Sequence, residues 1–200
     1  NGCFDTIYHE HLDYHHAKPL VRFLRKIGFS VIDLSTNNIQ GGTLRLLLQK
    51  KETKKEIKKV KKFLKEEENF FKKVNLKNKF FNFEKALLKL NSQIKKEKVK
   101  KKIIYAYGSP TKASLLLIKS KLNKNIIKNT FEDNQLKCNK YIPGTDIKIV
   151  NLKKIKKLSN LTIIILAWNF YKEIKIRLKK KNIRNTKLII PLPKFYIRKI

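Results

Sequence analysis

Near residue 100 the chain switches from lysine- and glutamate-rich helical periodicity to apolar runs separated by glycine and proline turns. That switch limits the available folds more than any other feature. Ile103 to Tyr107 is an apolar run of strand length, Gly108-Ser109-Pro110-Thr111 reads as a turn, and Ser114 to Leu122 reads as a helix. Further strands are expected at 126–131, 161–167 and 188–191, with a helix near 170–180. Strand, glycine turn, helix, strand is the order of a parallel sheet with right-handed crossovers, so 100–200 is read as a Rossmann-like α/β domain.

Residues 51–99 are read as a helical connector. Ile57, Val60, Leu64, Phe71 and Val74 mark one apolar stripe, interrupted by Glu67; Phe80, Phe83, Leu87, Leu90 and Ile94 mark a second at 3-4-3-4 spacing. Both are packing stripes, too short for a free coiled coil. In 1–50, Leu20, Phe23, Leu24 and Ile27 recur at helical spacing and Gly28 stands where a helix stops. Phe29 to Ser35 and Thr43 to Gln49 read as strands, joined by a turn over 36–42.

The net charge of +34 would ordinarily point to nucleic acid or an anionic surface. Only six of the 49 basic residues are arginine, however, and the 43 lysines are spread along the whole chain. Base and phosphate recognition leans on arginine's planar fork, so most of this charge is read as compositional drift toward Lys, Asn and Ile on solvated faces. Binding to random duplex DNA should therefore be weak, without sequence preference, and largely gone at physiological salt in a filter-binding titration. Sequence-selective, salt-resistant binding would make this a nucleic-acid-binding protein instead. At 42% hydrophobic and 10% aromatic content, 200 residues can bury one or two cores. Cys3 and Cys138 form no CxxC pair, which fits a reducing cytoplasm and offers no zinc site. No apolar run is long enough to span a bilayer.

All four histidines, His9, His11, His15 and His16, fall in the first sixteen residues, beside Tyr8 and Glu10. Three readings of Tyr8-His9-Glu10-His11 stay open on residue types alone. It can be a hydrogen-bonded cluster without function. It can hold a metal, although His and Glu are not in the His-Glu-x-x-His order of a zinc helix. It can be an acid/base site, because imidazole beside a carboxylate and a phenol suits removal of a proton next to a carbonyl.

Other candidates lie in the second half. The Gly108 to Lys112 turn could contact a phosphate, since glycine lets the backbone approach and Lys112 adds charge; it could equally be a plain helix start. Without GxGxxG, a dinucleotide cofactor is not expected. Glu132-Asp133-Asn134 and Tyr141-Ile142-Pro143-Gly144-Thr145 read as a strand end and a turn, with a binding role as the alternative. Trp168-Asn169 closes an apolar strand, where open α/β sheets place ligand-binding residues; the alternative is a half-buried Trp168 with Asn169 starting the next helix.

The run FDTIYHEHLDY followed by Gly41-Gly42-Thr43-Leu44-Arg45 resembles the end of the catalytic domain of S-adenosylmethionine-dependent sugar C-methyltransferases. Those enzymes act on nucleotide-linked 4-keto deoxysugars. Tyr107-Gly108-Ser109-Pro110-Thr111-Lys112-Ala113, Glu132-Asp133-Asn134, Tyr141-Ile142-Pro143-Gly144-Thr145, Trp168-Asn169 and Pro191-Leu192-Pro193 are similar to the same family's C-terminal domain, in the same order. Gln40 stands where the family often has a histidine, and Glu132 where it usually has an aspartate.

The resemblance implies three parts: 1–50 as the C-terminal end of a class I methyltransferase sheet, 51–99 as the helical connector, and 100–200 as a Rossmann-like C-terminal domain. It implies His11 as the base, Glu10 orienting it, Tyr8 hydrogen-bonding the sugar or its oxyanion, and His9 as the alternative base. Gly108, Lys112, Trp168 and Asn169 are expected to contact the nucleotide-sugar substrate. The S-adenosylmethionine loop and a zinc module are expected upstream, so the chain is read as a C-terminal portion, inactive alone and cytoplasmic, with neither a specific nucleic acid nor a membrane as partner. A basic nucleic-acid-binding protein and a non-catalytic Rossmann-like assembly remnant are the alternatives.

Overall fold

The computed structural model describes residues 11–37, 39, 42–50, 57–154 and 160–200, the side chains of Leu76, Lys79 and Lys154 excepted. The chain divides into two compact units, with the boundary between Leu76 and Lys77.

In the first unit, α1 (Ala17–Lys26) precedes an antiparallel hairpin of β1 (Ser30–Asn37) and β2 (Thr43–Gln49), and α2 (Lys58–Lys73) packs against β1. Ala17, Val21, Val31, Leu34 and Val60 make a small core. The first turn of α1 has no side-chain cap of its own at His16. Its free donors are met from α2 instead: the Ala17 and Lys18 N–H groups donate to the two Glu67 carboxylate oxygens at 2.8 and 3.0 Å. An acidic group at a helix N-terminus stabilises by about 0.5–2 kcal/mol. The polar interruption in the α2 stripe is thus a cap for another helix.

The second unit opens with α3 (Leu76–Val99), so the stretch 51–99 is shared between the two units. Then come β3 (Ile104–Tyr107), α4 (Ala113–Lys119), β4 (Thr130–Glu132), β5 (Tyr141–Ile142), β6 (Ile147–Asn151), β7 (Thr162–Ile165), α5 (Tyr171–Lys180), β8 (Lys187–Ile190) and β9 (Tyr196–Lys199). They form one seven-stranded sheet in the order β5-β6-β4-β3-β7-β8-β9. The five inner strands are parallel, and β5 and β9 pair antiparallel at the two edges. Every residue of β3 and of β7 is buried, as expected of central strands covered on both faces. Phe83, Leu87, Leu90 and Ile94 of α3, Leu116 and Leu117 of α4, and Ile174 and Leu178 of α5 join that core. The result is the expected Rossmann-like α/β domain.

Several elements differ from the expectation. The strand expected over 126–131 is confined to 130–132, because the Ile126 and Ile127 N–H groups turn back onto the Asn123 carbonyl at 3.0 and 2.9 Å. Ile127 is nonetheless fully buried, so its apolar character serves packing within a turn. Strands β5, β6 and β9 add to the expected set, β5 lying where a turn is expected. Among the described residues no helix is long and apolar enough to cross a membrane.

Candidate functional site

The strand order fixes where a ligand cleft can open. From β3 the chain goes to β4 and β6 on one side, then returns to place β7 on the other side of β3. Loops leaving β3 and β7 therefore diverge at their carboxyl ends, the place where open parallel sheets hold ligands. A cavity of about 360 Å³ opens there, its lining including polar Tyr107, Ser109, Glu132, Asp133 and Arg177 together with apolar Pro110, Ala167, Phe170 and Ile174.

Gly108 makes the close approach of the two loops possible. Its φ is +88°, and a Cβ there would meet the Ala167 Cβ at 2.5 Å and the Ala167 backbone N at 3.0 Å. Its N–H donates to the Phe131 carbonyl at 2.8 Å, and its own carbonyl accepts from the Thr130 hydroxyl at 3.0 Å, tying it to β4. Left-handed backbone strain and overpacking each cost about 1–3 kcal/mol. Gly108→Ala should therefore lower the urea midpoint by the equivalent of about 3 kcal/mol; an unchanged midpoint would show that the two loops separate freely.

Glu132 ends β4 and organises the rim. Its Oε2 accepts from the Ser109 hydroxyl at 2.6 Å and the Ser109 N–H at 2.9 Å; its Oε1 accepts from the Asp133 and Asn134 N–H groups at 2.9 and 3.2 Å. Burial works to raise its pKa, but the Ser109 hydroxyl and the three backbone donors outweigh that, holding the carboxyl below the ordinary glutamate value. Lys137 Nζ donates to the Ser109 carbonyl at 3.0 Å.

A second network spans β3, β4 and α5. The Tyr107 hydroxyl donates to Asp133 Oδ2 at 2.9 Å, and Arg177 pairs with the same oxygen. Burial first, then the Asp133 carboxylate, push the Tyr107 hydroxyl well above the ordinary tyrosine value, so it stays protonated as a donor.

The residues expected from the sequence fall in different places. Gly108 lines the cleft. Lys112 stands just before α4, and its Nζ lies 4.3 Å from the centroid of the buried Trp168 ring, so these two expected contacts are brought together. Asn169 is exposed in the short 3-10 turn Trp168–Phe170 and caps no helix. His11 belongs to the first unit and is exposed, its ring edge-on to Tyr14 at 6.3 Å. Tyr8, His9 and Glu10 lie outside the described residues, as do Gln40 and Gly41.

Sequence reasoning missed Asp133 and Arg177 as partners. A signal existed: Arg177 is one of six arginines in a chain whose usual cation is lysine, and it sits in the otherwise lysine-rich helix α5.

Among the described residues no group of three or more His, Cys, Asp or Glu could hold a metal ion. The strand–glycine–helix turn at Gly108 is packed against Ala167, and its Ser109 N–H is already engaged by Glu132. These residues do not fit S-adenosylmethionine or zinc, and no chemical step through either group is derived from them.

A mostly parallel sheet with a cleft at its crossover point is a Rossmann-like α/β domain. The C-methyltransferase C-terminal domain family matches residues 38–193, and the chain belongs to that family. The C-methyltransferase NovU of Streptomyces niveus is 28% identical over 200 residues, which cover 96% of this chain and 47% of that protein. The chain thus spans about half the length of the curated relative it matches.

Proposed function

We propose that this chain is the C-terminal part of an S-adenosylmethionine-dependent C-methyltransferase acting on a nucleotide-linked keto-deoxysugar. The observation that supports it is the family match from residue 38 to residue 193, which takes in β2, both long helices and all of the second unit's sheet up to β8. In this reading His11 removes the proton on the carbon next to the keto group, with Glu10 orienting the imidazole and Tyr8 donating to the developing oxyanion. His9 is the alternative base. S-adenosylmethionine would supply the methyl group in this reaction, and it and any zinc would be held by parts of the protein other than the residues described above. Gly108, Lys112, Trp168 and Asn169 contact the nucleotide-sugar substrate.

The full-length protein, given a nucleotide-linked 4-keto deoxysugar in deuterated water, should exchange the proton beside the keto group. With S-adenosylmethionine added, mass spectrometry should show a carbon-methylated sugar. Absence of both exchange and methylation with a panel of keto sugars would sink the reading.

A further inference from the structure

We propose that a second cavity, at the end of the sheet opposite the cleft, binds a compact oxyanion of more than one negative charge, with a diphosphate group as its reference chemistry. This site is independent of the function proposed above. It lies where β7 and β8 begin and β9 ends, and its volume is about 290 Å³.

Four lysines line it: Lys100 just past α3, Lys102 just before β3, Lys187 at the start of β8 and Lys199 at the end of β9. Glu97 is the only acidic residue of the lining. That carboxylate cannot neutralise the group, because it is buried and already accepts from the Thr162 hydroxyl at 2.9 Å, from Gln93 and from Lys187. Among the described residues Lys100, Lys102 and Lys199 have no acidic partner, and Lys102 is held by the neutral Asn160 side-chain oxygen. Lysines on a solvated helix face stand apart in water. These come from separate elements to one cavity, where an anion between them would offset their mutual repulsion.

The neutral groups point to the same ligand. Helix α3 ends here, and free carbonyls at a helix C-terminus would favour a cation. Three of them are closed, however: the Lys100, Lys101 and Lys102 N–H groups donate to the carbonyls of Lys96, Lys98 and Glu97 at 3.3, 2.8 and 3.0 Å. Asn160, its side-chain oxygen given to Lys102, keeps its amide N–H groups to donate, and the exposed Asn185 adds a second carboxamide to the lining. The volume is at the lower limit of small-ligand sites, which suits a compact ion.

The test is calorimetric titration of the full-length protein with inorganic pyrophosphate at physiological salt. Lys100 and Lys199 are both exposed, so Lys100→Ala/Lys199→Ala leaves the core intact. It should weaken pyrophosphate binding about ten-fold or more, the usual loss when a hydrogen bond to a charged group is removed, while Lys100→Arg/Lys199→Arg retains it. Lys85→Ala/Lys89→Ala removes the same charge from exposed positions further back on α3 and should leave the affinity within about two-fold. Thymidine diphosphate separates the two sources of such a group. If the affinity lost in Lys100→Ala/Lys199→Ala is equal for both ligands, the site takes a free anion; if it is larger for the nucleotide, the site takes a diphosphate carried on a larger metabolite. No pyrophosphate binding at millimolar concentration, or an equal loss in the two alanine pairs, would overturn the proposal, the latter by showing only the general field of a basic protein. Binding of a thymidine oligonucleotide with capped ends more tightly than pyrophosphate would overturn it as well, in favour of an extended nucleic-acid backbone.

Discussion

Lys187→Met should destabilise the second unit by about 3 kcal/mol at neutral pH, with a pH dependence opposite in sign to that of the unaltered protein. The reason lies at the end of the sheet away from the cleft. Glu97, on α3, is 1% exposed, and its carboxylate accepts from the Thr162 hydroxyl at 2.9 Å, from Gln93 and from Lys187 at the start of β8. Removing the ammonium leaves a buried anion with two neutral donors, and breaking such a pair typically costs 3–5 kcal/mol. The partial exposure of Lys187, 23% for its side chain, puts the expectation at the lower end.

Burial acts to raise the Glu97 pKa, and Lys187, Thr162 and Gln93 together bring it below the ordinary value. With its folded value depressed, the group contributes stability above the ordinary glutamate pKa of about 4.3. That contribution is lost as pH falls through the depressed value. Without Lys187, burial raises the folded value instead, and the variant loses stability as pH rises past about 4.3. Urea titrations across pH 3–7 should therefore show a gap between the two proteins that is widest at neutral pH and closes in acid. A pH-independent gap under about 1 kcal/mol would make the pair an ordinary surface contact.

His11→Ala in the full-length protein should reduce both methyl transfer and solvent-deuterium exchange by about 10²–10⁴, the usual contribution of a general base. Nucleotide-sugar affinity should change only a few-fold. Because exchange needs the base but not the methyl donor, its loss separates proton abstraction from every later event. A variant with near-normal exchange would transfer the role to His9 or to a residue outside this chain.

The parts of the fold legible in the sequence were those whose signal was continuous. Residues 161–167 and 188–191 are apolar runs that lysine enrichment had not interrupted, and they form the central strand β7 and its neighbour β8. The α3 stripe was equally clear, and Phe83, Leu87, Leu90 and Ile94 all reach the core. What escaped was alternation broken up by lysine. Ile147-Lys148-Ile149 is a half-buried strand pattern, with both isoleucines buried and the lysine exposed, yet in so lysine-rich a chain it reads like the loops around it. The cleft was legible at Gly108, where the residue type itself signals close backbone approach. Its chemistry was not, because Tyr107, Asp133 and Arg177 meet across 26 and 44 residues of chain and carry no common spacing. Glu97 and Lys187 stayed hidden for the same reason, being 90 residues apart.

The Glu67 carboxylate at the start of α1 has a consequence for how the first unit opens. Helix α1 is only 10 residues long, too short to persist in water alone, and the acceptor for its leading amides comes from 50 and 49 residues further along the chain. Fraying at this end therefore cannot be a private event of one helix: releasing the Ala17 and Lys18 amides means withdrawing α2. The two helices and the hairpin between them are joined into one cooperative opening, so a chain cut anywhere between Gly28 and Glu67 would lose the order of α1 as well as that of the removed part.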